Sequence, residues 1–216
     1  MFCKIRLAEF DIEKGNEILL REEISRSFVL NFCGLMARQL TGQNVYLRNV
    51  DGTGYTRDES RLFMSCVSPA GAGCTMAQTY TTTKYQVGNF GDRIGVVIGT
   101  GTTEVSPGNY ALVNQIRHGD STGKVLHFGT LISDLTYIPS RSASVKGGSV
   151  TWKAERIFYN NSGGSIFVSE AGLYVHGYTY NVRTDEHCVI RDIVTPTVVF
   201  TTGTYLKVTY TFSIVC

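Results

Sequence analysis

Apolar and polar positions alternate without a break near the end of the chain. Leu206, Val208, Tyr210, Phe212 and Ile214 are apolar, and Lys207, Thr209, Thr211 and Ser213 between them are polar. A period of two puts the apolar set on one face of a β-strand. A slip of one residue would turn all five side chains to the wrong face, so the pairing of this strand is tightly specified. Val150, Trp152 and Ala154 alternate in the same way with Thr151, Lys153 and Glu155. That pattern breaks at Arg156, where a bulge would let Ile157 or Phe158 continue the inward face. Residues 160–164 are turn-rich and are expected to join this strand to 165–169 in a hairpin. Further strands are expected at 95–99, 124–128, 131–138, 173–180 and 188–194, with Pro196 breaking the chain before 198–200 resumes it. A polar stretch at 79–87 suits an exposed edge strand. Ser106-Pro107 reads as an N-cap followed by proline in the first helical turn, opening a short helix to Gln115.

The first forty residues follow a different period. Ile24, Phe28, Phe32, Leu35 and Met36 recur at intervals of three and four, which predicts an amphipathic helix over 21–40. Glu22 and Glu23 near its start, Arg38 near its end and Gly42 just beyond agree with the helix dipole and a C-terminal stop. Its apolar stripe must be covered, by the β body or by a neighbouring subunit. The chain thus divides into an arm with a helix, residues 1–48, and a β domain, residues 49–216. Eight or more strands, turns at short intervals and connections too short for crossover helices indicate an all-β, antiparallel β-sandwich, with a jelly roll as the expected topology.

Composition agrees. The 216 residues include 24 Thr, 23 Gly and 12 Tyr but only 4 Pro, and charged residues make up 18%. That excludes a disordered chain and a charge-laced helical bundle. A net charge of +2 and the lack of a Lys/Arg-rich run give no footprint for nucleic acid. No apolar run approaches a membrane span, and residues 1–10 contain no signal-peptide core, so synthesis and folding in a cytoplasm are expected. Six cysteines lack CxxC spacing. Cys66 and Cys74 flank a small-residue loop that a disulfide would close, but a reducing cytoplasm favours free thiols, mostly buried.

Candidate chemistry is sparse. Gly99-Thr100-Gly101-Thr102-Thr103 invites comparison with phosphate loops, yet it lacks the Walker spacing and lysine, and reads as a turn. His118, His127, His176 and His187 do not fall at metal-ligand spacing. Glu155, Glu170, Asp185, Glu186 and Asp192 could supply paired carboxylates only if the fold held two across a cleft. No cofactor and no catalytic activity are expected. Tyr174, Tyr178 and Tyr180, at even spacing, would share one strand face, which suits core, subunit contact or sugar stacking.

Several segments in order resemble structural proteins of tailed bacteriophages. They are 27–32 (SFVLNF), 95–103 (GVVIGTGTT) with Tyr110-Ala111-Leu112 and His118-Gly119, 156–163 (RIFYNNSG), 168–174 (VSEAGLY), and Ile190-Arg191-Asp192 with Pro196 and the closing strand. The likeness covers about residues 25–214, with gaps at 55–90 and 139–149. It implies a non-enzymatic virion component that decorates a capsid or forms part of a tail or fibre. Its partners would be other virion proteins and copies of itself, with a trimer the state the resemblance suggests. The helix stripe Ile24, Phe28, Phe32, Leu35 and Met36 would then be a subunit contact. The alternative is a receptor-binding tip that takes a host glycan on the tyrosine face.

Overall fold

The computed structural model describes residues 2–11, 13–25, 27–41, 46–52, 54–56, 61–62, 92, 95–128, 131–138, 149–178 and 184–215. Among them the strands are β1 Phe2–Asp11, β2 Asn16–Ser25, β3 Tyr46–Arg48, β4 Gly54–Thr56, β5 Arg61–Leu62 and β6 Gly95–Gly99. The second half adds β7 Leu126–His127, β8 Leu131–Ile138, β9 Ser149–Tyr159, β10 Ile166–Tyr178, β11 Thr184–Phe200 and β12 Tyr205–Val215. One helix, α1, spans Leu30–Thr41. Every strand pair is antiparallel. A six-stranded sheet runs β2-β1-β12-β9-β7, with β8 also on β9. A four-stranded sheet runs β11-β10-β5, with β6 also on β10, and β3 and β4 form a separate pair.

The closing strand is central. β12 pairs with β1 from Phe2↔Ser213 to Glu9↔Leu206 and with β9 from Tyr205↔Tyr159 to Val215↔Ser149, both without a register shift. Leu206, Val208, Tyr210 and Phe212 are all buried, as the alternation requires. They meet Ile5, Leu7, Ala154 and Phe158 of their own sheet and Val96, Ile98, Val168, Leu173 and Ile190 of the other in one core. The all-β, antiparallel two-sheet architecture expected from the sequence is therefore present.

Local expectations fare unevenly. The helix begins at Leu30, and 16–25 is a strand instead of the first turns of a helix. The interval of four from Ile24 to Phe28 mimics helical spacing, but a hairpin with β1 satisfies the backbone groups of 16–25. Its turn is shaped by the Asp11 carboxylate, which accepts from the Glu13 and Lys14 amides, and by Gly15 at φ +69°. No bulge interrupts β9 at Arg156; the arginine itself occupies the inward position between Ala154 and Phe158, fully enclosed. Residues 160–164 do not close a hairpin, because β9 and β10 lie in different sheets and the loop crosses between them. Asn160 holds that crossing, its amide donating to the Gly164 and Phe200 carbonyls. Pro196 does not end a strand: β11 runs through it. The pairing shifts from Val168↔Val198 to Glu170↔Ile193, so the proline sits in an irregularity where a missing N–H is tolerated. The strand expected at 79–87, the Cys66–Cys74 pair and Cys216 lie outside the described residues.

The cysteines within the fold separate into two kinds. Cys3 and Cys188 are buried and Cys33 is exposed. Burial, helped by the Asp192 carboxylate and opposed by a Ser25 hydrogen bond, pushes the Cys3 thiol up to about 12. Burial pushes Cys188 up as well, although Arg191 opposes it. Since thiolate is the reactive form, site-resolved alkylation of the native protein should modify Cys33 and spare Cys3 and Cys188 until denaturant is added. Native labelling of Cys3 at the rate of Cys33 would contradict this packing.

Candidate functional site

The outer face of the smaller sheet carries a second layer built from the segment 100–116. Glu170, Gly172 and Tyr174 of β10 point toward it, and Val97, Leu112, Tyr174, Cys188 and Val29 form its apolar part. No helix forms at 106–115, contrary to the expectation from Ser106-Pro107. A helix would spend these amides on its own carbonyls four residues back. Here the Val113 and Asn114 amides are directed at Glu170 instead.

Glu170 is the organising group. Its Oε1 accepts from the Gly101 amide at 3.0 Å and the Asn114 amide at 2.7 Å, and its Oε2 from the Val113 amide at 3.1 Å. Arg191 Nε donates to the same Oε2 at 3.0 Å, and both side chains are 0% exposed. The rest of the guanidinium reaches the covering segment: Nη2 donates to the Thr103 carbonyl, and Nη1 to the Glu104 carbonyl and to Asn109 Oδ1. Asn109 Oδ1 also accepts from the Ser106 amide, which closes the turn the sequence suggested was a helix start. Four donors on a carboxylate and an arginine with partners on all its nitrogens form a fully satisfied buried network.

The glycine-rich run now has a physical reason. A Cβ on Gly101 would come within 2.5 Å of Glu170 Oε1, and one on Gly99 within 2.6 Å. Gly99-Thr100-Gly101 does cradle an anion with backbone amide, as phosphate loops do, but the anion is the protein's own carboxylate.

The residues singled out from sequence are scattered. Ile24 lies exposed on β2. Phe28 bridges to Ile190 on β11, and Phe28 and Phe32, with rings 4.3 Å apart, pack on the core. Leu35 is buried and Met36 partly exposed. The proposed stripe is thus shared between a strand, a bridge and a helix, and most of it packs on the β body. Tyr174 is buried, and its hydroxyl oxygen accepts from the Leu112 amide at 2.7 Å, so it is no part of an exposed aromatic platform. Tyr178 lies on β10 opposite Thr184, and Tyr180 is outside the described residues. Among the carboxylates, Asp192 is buried on the inner face, where Ser25 Oγ donates at 2.8 Å and Tyr210 Oη at 3.1 Å. Burial raises Asp192 above the usual carboxylate range despite these bonds and one from Ser27. Glu155 lies 3.2 Å from Lys207. Each candidate carboxylate with a described environment is bound to partners of its own chain. Among the described residues no group of three or more His, Cys, Asp or Glu could hold a metal ion, and no helix is long and apolar enough to cross a membrane.

Sequence reasoning missed the pairing of Arg191 with Glu170, for which opposite charges on two successive strands were the one available signal. Fold and site together define an all-β, two-sheet protein whose conspicuous polar residues turn inward to hold its own loops. Comparison with family models, curated proteins and solved structures finds no match for the chain.

Breaking one partner of a buried ion pair costs about 3–5 kcal/mol, because the other charge is left uncompensated. Glu170→Gln should therefore lower the melting temperature by on the order of 10 °C, and Gly101→Ala should act in the same direction. Calorimetry checks both; a Glu170→Gln protein as stable as wild type would contradict the role given to this carboxylate.

Proposed function

We propose that this chain is a non-enzymatic structural protein of a tailed-phage virion, a capsid decoration or a head–tail or tail component, that works through subunit–subunit contacts. Assembly would take place in the host cytoplasm with other virion proteins and with further copies of the chain. The jelly-roll topology and the trimeric state expected from the sequence belong to this reading.

The observation that carries it is the edge strand β2. Ile18, Leu19, Leu20 and Ile24 are 65%, 51%, 42% and 49% exposed within ten residues. Isolated exposed apolar residues are ordinary, but four large aliphatic groups on one edge are what a contact surface provides. The strand is also guarded against open-ended pairing. The register shifts between Leu7 and Ala8, making Leu20 a bulge, and Arg21 and Glu23 form a 3.1 Å ion pair. Both devices discourage backbone addition at an edge, so contact through side chains in a closed assembly is favoured. The engagement of Glu170 and Asp192 within the fold also supports a role without catalysis. Glycan binding is the weaker reading, because its aromatic face begins at a buried Tyr174.

Light scattering on the purified protein should find a defined oligomer, with an interface burying on the order of 1,200 Å² or more. An Ile18→Asp/Leu20→Asp protein should dissociate while keeping its β-rich circular dichroism. Mass spectrometry of purified particles should detect the chain. A strictly monomeric protein that is absent from particles would refute the reading.

A further inference from the structure

His127 is 2% exposed, on the short strand β7, where it faces Phe158 of β9. Its ring stands edge-on to Phe158 at 5.1 Å and to His118 at 5.4 Å between centroids. Neither ring nitrogen has a hydrogen-bond partner among the described residues. The groups around it come from three elements. Asp92 Oδ1 lies 3.9 Å from His127 Nδ1, a distance too long for a hydrogen bond. Arg156 of β9 is fully buried beside it and donates to the Val96 carbonyl. His118 and Arg117 come from the segment that follows Ile116, with Arg117 Nη1 3.6 Å from Asp92 Oδ2. An added proton on His127 would thus meet Arg156 at close range, with Asp92 the one nearby acid and already shared. Burial first, then Arg156 and His118, hold His127 down to about 2, against a smaller pull from the Ile116 backbone, which lies near the ring without reaching hydrogen-bond geometry.

The exposed partner is tied to the same proton chemistry by geometry alone. His118 Nδ1 accepts the His127 backbone N–H at 3.0 Å. A ring nitrogen accepts only while it carries no hydrogen, so an imidazolium at 118 cannot make this bond. The His118 amide in turn donates to Asp92 Oδ1 at 2.6 Å, and Gln115 Nε2 donates to the Asp92 carbonyl. Beyond that, the corner is held by the Val125 amide on the Arg117 carbonyl and the Gly119 amide on the Val125 carbonyl. Two histidines in contact, one as acceptor and one as dry filler, both require neutrality.

We propose that the His118–His127 corner is an acid-sensitive latch, closed near neutral pH and opening as the solution turns mildly acidic while the two sheets stay paired. The sign follows from proton linkage. The closed state keeps His127 neutral, whereas an opened state binds a proton near the ordinary histidine value of 6.5. Opening is therefore favoured as pH falls below that value. His127 alone multiplies the open population about thirtyfold between pH 7.5 and 5.0. Asp192, raised by burial, acts with the opposite sign on global stability, so a local readout is required. The proposal does not depend on the virion reading.

The test is amide protection by NMR at pH 7.5 and 5.0, corrected for intrinsic exchange, on the wild-type protein and on His118→Asn/His127→Phe. The double variant keeps a non-titrating oxygen acceptor at 118 and an apolar ring against Phe158. In wild type the His118, Val125 and His127 amides should lose about thirtyfold in protection at pH 5.0, through an opening whose free energy and denaturant slope stay below those reported by Val208 at the sheet centre. The variant should keep its corner protected at both values. Equal wild-type protection at the two pH values overturns the proposal, and so does an undiminished loss in the double variant. If the double variant does not fold, His118→Asn alone, at an exposed position, must reduce the loss.

Discussion

A buried carboxylate–guanidinium pair, Glu170 with Arg191, is the constraint on which the outer half of the molecule depends. Two ions taken out of water lose several kcal/mol of hydration each, and their mutual attraction repays this only if every remaining donor and acceptor is used. That requirement dictates the shape of 100–116. Three backbone amides must converge on one carboxylate, which forbids a helix there. Two glycines must stand where any side chain would collide with it. The arginine must then collect the carbonyls left over on the same segment. The pair selects one conformation of a long loop more than it adds net stability, and that loop covers Tyr174, Cys188 and Val97.

The same economy governs the space between the sheets. Arg156 donates to Val96 across the gap, and Asp192 of the smaller sheet accepts from Ser25 and Tyr210 of the larger. These polar contacts fix how one sheet sits on the other, a choice that nonpolar side chains alone leave loose. The low charge of the chain takes on meaning here, since several of its few charged groups are structural and inward. His127 belongs to this set, but both of its ring nitrogens are unmatched, whereas Arg156 leaves only its Nε unmatched and donates through Nη1.

Period-two patterning made β12 and β9 up to Ala154 legible, and β6 was legible as an apolar run between glycines. It failed where one residue had a different task. Arg156 looked like a break in alternation because an inward arginine is rare unless it has an acceptor, and that acceptor is remote in sequence. The β1–β2 hairpin was hidden because Ile24, Phe28 and Phe32 satisfy helical spacing as well as strand spacing, though Asp11 and Gly15 were a turn signal in plain view. The crossing at 160–164 could not be told from a hairpin, since the same turn residues serve both and only sheet membership separates them. Of the site, the glycine run and Glu170 were each noticed, but nothing in the sequence joined them across the 69 residues between Gly101 and Glu170. Tyr174, Tyr178 and Tyr180 share parity in the sequence, but parity does not show that Tyr174 is buried under a distant loop.

The proposed structural role would place subunit contacts at the apolar edge of β2, beside a two-layer body whose outer loop is tied down by Glu170 and Arg191. All of this rests on the loop at 100–116 being as firmly held as the sheets. Native-state hydrogen exchange against denaturant measures that directly at the Gly101, Val113 and Asn114 amides. If Glu170 holds them, they exchange only through global unfolding, with the same free energy and denaturant slope as Val208. Exchange through a local opening several kcal/mol below the global value would contradict the account.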